Sequence, residues 1–230
     1  MAASKACLDE HHGQPRWKHF SDQNTYSLGR VGDHNVVIGC LPSGMDGLVS
    51  ASVVAMHMLA SFESIRIGLM VGIGGGAPKI PDIDIRLGDV VVSMPGGTRG
   101  EVVQYDYGKK TTDGIKRKGI LNNPPQELLT GVAAVRTSHM MKENSLKDFL
   151  LAMFQNHPGM KEEFKYQGVG NDRLFKTPYK HVGGSTCAKC DVKGEIKRST
   201  RDNDNPCIFY GVIASGNLVI MGRERNERPA

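Results

Sequence analysis

The segment Ile65 to Ser93, IRIGLMVGIGGGAPKIPDIDIRLGDVVVS, constrains this chain most. An apolar run enters five glycines in a short space, crosses a loop marked by Pro78 and Pro81, and gives way to a second apolar run. A chain accepts that glycine density where its backbone turns tightly or approaches a ligand closely. Near-continuous apolarity over Ile65–Gly72 and Leu87–Ser93 predicts strands buried on both faces, in a sheet covered by helices.

The flanking sequence alternates between strand and helix patterns. Ala2–Glu10 reads as the end of a helix, with Gly13 as its stop, and Gln14–Asn24 as a loop anchored by Trp17 and Phe20. Tyr26–Arg30 and His34–Leu41 read as strands joined by a turn at Val31-Gly32-Asp33. A second glycine-bearing loop, Pro42–Gly47, leads into a helix over Leu48–Phe62 that is apolar on nearly every side and so expected to be largely buried. Val102–Gly108 alternates like a strand, and Thr111–Asn123 reads as a basic, polar loop. Pro125–Met141 and Ser145–Gln155 follow as helices, the first with Leu128, Leu129, Val132 and Val135 on one side. Residues 156–207 are polar and irregular, an insertion or long loop, and Ile208–Ser215 is the last strand. The expected fold is α/β: one domain over 1–230, built as a three-layer αβα sandwich around a central mixed sheet. Ligands gather at strand ends in such sheets. The loops at 44–47, 72–76 and 216 all lie there.

Composition narrows the function classes. The 230 residues carry a formal charge of +5, with basic and acidic residues interleaved. The only dense basic patch is Lys109, Lys110 and Lys116-Arg117-Lys118, which a solvated loop explains better than nucleic acid does. No run of 18 apolar residues is present, so no membrane span is expected. The first residues lack the apolar core of a signal peptide. Five cysteines, an odd number, point to a reducing compartment, with the cytoplasm as the default.

Gly72-Ile73-Gly74-Gly75-Gly76-Ala77 satisfies GxGxxA. A dinucleotide site would need a helix to begin there, and Pro78, Pro81 and the alternation Asp82-Ile83-Asp84-Ile85 argue against one. A Walker loop would need Gly-Lys-Ser/Thr after the glycines, and it is absent. The plain alternative is a tight crossover between strands.

The combination is more specific than any one motif. A strand, Ser43-Gly44-x-x-Gly47, an apolar helix, a strand, the glycine run and Leu87-Gly88-Asp89-Val90-Val91-Val92-Ser93 follow in that order. The chain resembles the nucleoside phosphorylase/nucleosidase superfamily, in particular its fungal branch, where the domain often sits beside NACHT, ankyrin or tetratricopeptide regions. The resemblance rests on Tyr26–Val37, Leu41–Gly47, Gly68–Ala77, Arg86–Ser93, Val102–Lys109, Asn122–Leu129, Phe175–Cys190 and Ile213–Asn217, nearly the whole chain. It implies cleavage of a purine nucleoside at its N-glycosidic bond, with no organic cofactor. It places Gly44, Gly72, Gly74 and Gly75 near the ligand, with Ser215, Gly216 and Asn217 after the last strand. Val219 and Ile220 correspond to the residues against base and sugar. Family phosphorylases hold phosphate with an Arg before the glycine turn and a Ser inside it. Met70 and Ile73 stand there and cannot do so, which favours a nucleosidase, unless Arg30 or Arg86 supplies the cation.

The sequence also departs from that pattern. The family opens with a further strand and continues past the Ser-Gly-Asx segment with a Met-Glu ribose clamp and an Asp that protonates the leaving base. This sequence starts inside the first helix and ends MGRERNERPA. The expectation is therefore an incomplete domain, missing its first strand and its C-terminal strand and helix. It would be weakly active or inactive and prone to aggregate through uncovered edges. No catalytic residue is assigned; Asp106 and Asp172 are the acids placed nearest the pocket, with loop capping as the alternative. The expected partners are a purine nucleoside, with phosphate or a second copy of the chain as further candidates. The alternative function is a non-catalytic nucleoside-sensing module of a larger receptor-like protein. Separately, Cys187-x-x-Cys190 can start a zinc site with Cys207 and His181, against the simpler reading of two loop thiols.

Overall fold

The computed structural model describes residues 1–96, 100–112, 114–117, 123–142, 145–177, 179–184 and 186–217. Its elements are α1 (Ala2–Ala6), β1 (Glu10–His12), β2 (Tyr26–Val31), β3 (His34–Gly39), α2 (Gly47–Ser61), β4 (Val90–Ser93), β5 (Val102–Gln104), β6 (Gly108–Thr111), β7 (Gly114–Arg117), α3 (Gln126–Met141), α4 (Leu146–Asn156), α5 (Lys161–Phe164), β8 (Ile208–Gly211) and β9 (Ile213–Ser215). The architecture is mixed α/β with small sheets. Among the described residues the strands form four separate sheets, β1-β2-β3, β4-β8, β5-β9 and β6-β7. No helix among them is long and apolar enough to cross a membrane. The chain groups into two compact units, Met1–Ile73 with Phe149–Gly159, and Gly74–Asp148 with the chain from Met160 onward.

The first unit is an antiparallel meander against a helix. Alternation in Tyr26–Val31 and His34–Gly39 pairs β2 with β3 from Tyr26↔Gly39 to Val31↔His34 across the Gly32 turn. β1 joins the other edge of β2, Glu10 opposite Arg30. The sheet meets α2 at Gly39, where a Cβ would fall 2.7 Å from the Met58 methyl and 3.5 Å from Tyr26 and Val54, so a larger residue would displace the Met58 side chain. A polar cluster fixes the rest. The buried Asp22 carboxylate accepts from the Ser61 hydroxyl, from Tyr26 Oη at 2.8 Å and from the Asn24 amide at 2.8 Å. Asn24 Nδ2 in turn donates to the Val54 carbonyl on α2, 2.9 Å away. Burial alone would push the Asp22 carboxyl up, but its hydrogen bonds from Ser61, Asn24 and Tyr26 hold it below its ordinary value. Burial, reinforced by Asp22, pushes the Tyr26 phenol up to about 12 against the bond from Asn24.

The second unit is held by charge. Arg86 donates to Asp84 from Nε at 2.9 Å and Nη2 at 2.6 Å, and Arg198 reaches Asp84 at 3.3 Å and Asp172 at 2.8 Å. Asp89, its side chain 1% exposed, accepts from Arg201 at 2.6 Å and from the backbone amides of Arg86 and Cys207 at 2.7 and 2.9 Å. These contacts clamp the chain at 84–89 to the end of the polar segment at 198–207. That brings β4 beside β8 in parallel, with Val90 opposite Ile208. After a break at Val212 the chain pairs again, β9 parallel to β5 with Val102 opposite Ile213.

Several expectations are corrected. Ile65–Gly72 forms no strand, and Leu69, Met70, Val71 and Ile73 are 76, 83, 83 and 106% exposed. An apolar run becomes a strand only where a partner offers its amides and carbonyls, and none does here among the described residues. α2 forms where expected but is not largely buried; Val54 and Ser61 are its buried residues, while Val49, Val53, Met56 and Leu59 are exposed. Ala2–Glu10 is helical only to Ala6, and Glu10 turns into β1 because it pairs with β2. The basic stretch is partly a hairpin, Thr111 pairing with Gly114. Ile208–Ser215 is two strands rather than one. The polar region 156–207 has no strand among its described residues and only short helical turns and α5, as read from its sequence.

Burial pushes the Asp89 carboxyl up, but the hydrogen bonds from Arg201, Cys207 and Arg86 outweigh it and hold the group below its ordinary 3.8. Its contribution to stability is therefore complete above that ordinary value and lost as pH falls through the folded value. Asp89→Ala leaves Arg201 without its carboxylate partner, with only the Asp84 carbonyl bond remaining to it among the described residues, and is expected to cost about 3 kcal/mol. Hydrogen exchange should show roughly a hundredfold loss of protection in β4 and β8 at pH 7. The gap between variant and parent should narrow as the pH falls below the ordinary carboxylate value, through the lowered value of the folded state.

Candidate functional site

Parallel pairing of β5 and β9 brings their C-terminal ends together, and three of the sequence-predicted residues lie there. Ser215 ends β9, and its carbonyl accepts from the Tyr105 amide at 2.9 Å. Gly216 lies against Tyr105 and Asp106; a Cβ would stand 2.6 Å from Tyr105 Cζ and 3.0 Å from Asp106 Cγ. The Asn217 amide donates to Asp106 Oδ2 at 2.6 Å, and Gln104 Nε2 donates to Oδ1 at 2.9 Å. A side chain at 216 would have to displace the Tyr105 ring. The Asn217 and Gln104 bonds draw the Asp106 carboxyl below its ordinary 3.8. At neutral pH it is an ionised acceptor at the mouth of a parallel strand pair.

The remaining predicted residues are placed differently. Gly44, at φ +76°, sits in the turn closed by Met45 N to Pro42 O at 3.0 Å, with open space around it. Gly72, Gly74 and Gly75 lie in the irregular stretch after residue 65, and no atom lies within 4 Å of where a Cβ would be. Within the glycine run, Gly76 is the residue in close contact, where a Cβ would stand 3.0 Å from Ile85 Cγ2. Val219 and Ile220 lie outside the described residues. Of the two acids, Asp106 holds the Asn217 turn. Asp172 is committed to Arg198, and its Oδ1 accepts from the Leu87 amide at 3.2 Å. The cations raised for phosphate are engaged as well, Arg30 with Glu10 at 3.3 Å and Arg86 with Asp84 at 2.6 Å.

Two cavities of about 250 and 300 Å³ lie elsewhere. One is lined by Lys5, His11, His12 and Tyr26, the other by Leu129, Val132, Arg136 and Met140. Neither includes a predicted site residue.

The candidate zinc residues divide. His181, Cys187 and Cys190 come together, their ligand atoms all within 4.8 Å of one another. Cys207 does not join them; its amide is bound to Asp89 and its carbonyl to the Val90 amide.

Glu101 was passed over in the sequence. Its backbone carbonyl accepts from Ile213 N at 2.9 Å, at the start of β5. Its Oε2 is buried without a hydrogen-bond partner among the described residues, and burial pushes the carboxyl above its ordinary 4.5. The one sequence signal was an acid immediately before an apolar strand. Burying the charged form costs stability above the ordinary value, and that cost disappears as the group protonates at lower pH. Glu101→Gln is therefore expected to raise the melting temperature at pH 7 by about 2–4 °C, with little change near pH 4. Calorimetry at the two pH values reads the difference.

Comparison with known proteins bears on this arrangement. The chain is 38% identical over 232 residues to a nucleotide-binding leucine-rich repeat (NLR)-like protein of Hyaloscypha variabilis, an alignment that covers 100% of this chain and 22% of that protein. The chain is thus similar over its whole length to about a fifth of a much longer fungal NLR-like protein. No family model matches it. No solved structure matches it either.

Proposed function

We propose that this chain is a nucleoside-binding domain of the nucleoside phosphorylase/nucleosidase type. It recognises a purine nucleoside and cleaves its N-glycosidic bond slowly, with water rather than phosphate as the acceptor. The observation that carries this reading is the Ser215-Gly216-Asn217 turn, held by Asp106 and Tyr105 at the shared end of two parallel strands. Strand ends of that kind are where α/β sheets bind ligands. The corresponding fold is a three-layer αβα sandwich, with β4-β8 and β5-β9 as stretches of its sheet.

Water is favoured because the cationic alternatives for phosphate are taken. Arg86 and Arg30 each face a carboxylate, while Met70 and Ile73 offer no donor side chain. Slow turnover is favoured because Asp106 is ionised at neutral pH. An ionised carboxylate can accept from a ribose hydroxyl or a base N–H, but it cannot protonate a departing purine.

The second reading is a non-catalytic nucleoside-sensing module within a larger protein. It is favoured by the match to a short part of an NLR-like protein.

Calorimetric titration with adenosine and inosine, alongside assays of free base with and without phosphate, separates the readings. The first expects binding together with slow base release that phosphate does not accelerate. Binding with no release selects the sensing module. Gly216→Ala, which drives a methyl into Tyr105, should weaken binding at least about tenfold. Absence of binding to either nucleoside overturns both.

A further inference from the structure

The polar region between α5 and β8 has little to hold it. Among the described residues of the second unit, Cys190 is the only buried apolar side chain. Small, polar segments of this kind are ordinarily stabilised by a cross-link, a metal or an ion-pair network. The Arg–Asp clamp serves the 198–207 end. At 173–196 the structure presents a different device.

Cys187–Lys189 form a single helical turn, closed by Cys190 N to Cys187 O at 3.0 Å, which sets the two thiols on one side. His181 approaches the same point, and the three ligand atoms lie within 4.8 Å of one another. Tetrahedral zinc at its usual bond lengths needs separations of about 3.5–3.8 Å between such atoms, so a small closure suffices. The surrounding backbone is already braced. Arg173 donates to the Cys187 carbonyl at 2.5 Å and to the Cys190 carbonyl at 3.4 Å, and it is held by Glu195 at 3.1 Å. Phe175 pairs with Glu195 in a β-bridge and stacks on Tyr179 at 4.8 Å, and Tyr179 Oη accepts from the Asp191 amide at 2.6 Å.

From this cluster we infer that His181, Cys187 and Cys190 bind one zinc ion, with the fourth position open to water, as a clip across the polar region. Two thiolates and an imidazole are a donor set suited to zinc. Binding releases the two thiol protons to solvent. Cys207 takes no part. The inference is independent of the nucleoside reading.

The test uses the full chain, purified reduced and metal-free, and titrated with cobalt(II) and then zinc(II). One equivalent of cobalt should give thiolate-to-metal charge-transfer absorption, and zinc should displace it with a dissociation constant below about 1 µM. Cys187→Ser should abolish the band, and Cys207→Ser should leave it unchanged. His181→Ala alters an exposed ring, so the protein should stay folded; it should weaken binding at least about tenfold. Absence of the band in the parent protein overturns the proposal. So do a band that survives Cys187→Ser, equal loss in Cys207→Ser, unaltered affinity in His181→Ala, and a disulfide between Cys187 and Cys190 in protein from a reducing cytoplasm.

Discussion

The arrangement of the second unit depends on Asp89. Its carboxylate is almost fully enclosed, receives the Arg201 guanidinium, and takes backbone amides from both Arg86 and Cys207. One side chain thereby fixes the entry to β4 and the entry to β8, two strands more than a hundred residues apart in sequence. A buried ion pair is a weak source of net stability, because desolvation offsets much of the attraction. What it supplies here is position: its bonds to the Arg86 and Cys207 amides set Val90 against Ile208. Asp84 extends the same clamp by engaging Arg86 and Arg198 together.

Register propagates from the clamp to the candidate site. Once β4 lies on β8, the chain needs only the break at Val212 to bring β9 beside β5. The parallel orientation then places Gln104, Tyr105 and Asp106 at the same end as Ser215, Gly216 and Asn217. The site is a consequence of charge pairing in the polar region rather than of a hydrophobic core. That explains why a stretch that reads as an insertion holds three arginines with buried or half-buried partners, Arg173, Arg198 and Arg201.

Local signals were the legible part of the sequence. Alternation located β2 and β3, the helical patterns located α2, α3 and α4 to within a residue or two, and the Ser-Gly-Asn segment led to a place where predicted site residues meet. Periodicity reports how apolar a segment is, not whether a neighbour covers it. For that reason Ile65–Gly72 read as a buried strand and α2 as a buried helix, although both leave large apolar side chains in solvent. The charge clamp was not legible, because Asp84, Asp89 and Asp172 find their arginines across 26 to 114 residues or through two-residue local pairing that carries no motif. Cys187-x-x-Cys190 was legible as spacing, but only the fold separates His181, which reaches the thiols, from Cys207, which does not.

The two perturbed carboxyls beside β5 bear on the chemistry in opposite ways. Enzymes divide acid and base roles by pushing two pKa values apart within one site. Glu101 is pushed up by burial, and Asp106 is drawn down by Asn217 and Gln104. They stand five residues apart, before and after β5. Placed at opposite ends of β5, the carboxyl shifted up and the carboxyl shifted down are not arranged as the paired acid and base of one site. At the Ser-Gly-Asn turn the available group is the ionised one, with acceptor oxygens and no proton to give. Binding a nucleoside through its hydroxyls fits that chemistry. Fast expulsion of a purine needs a proton from another residue.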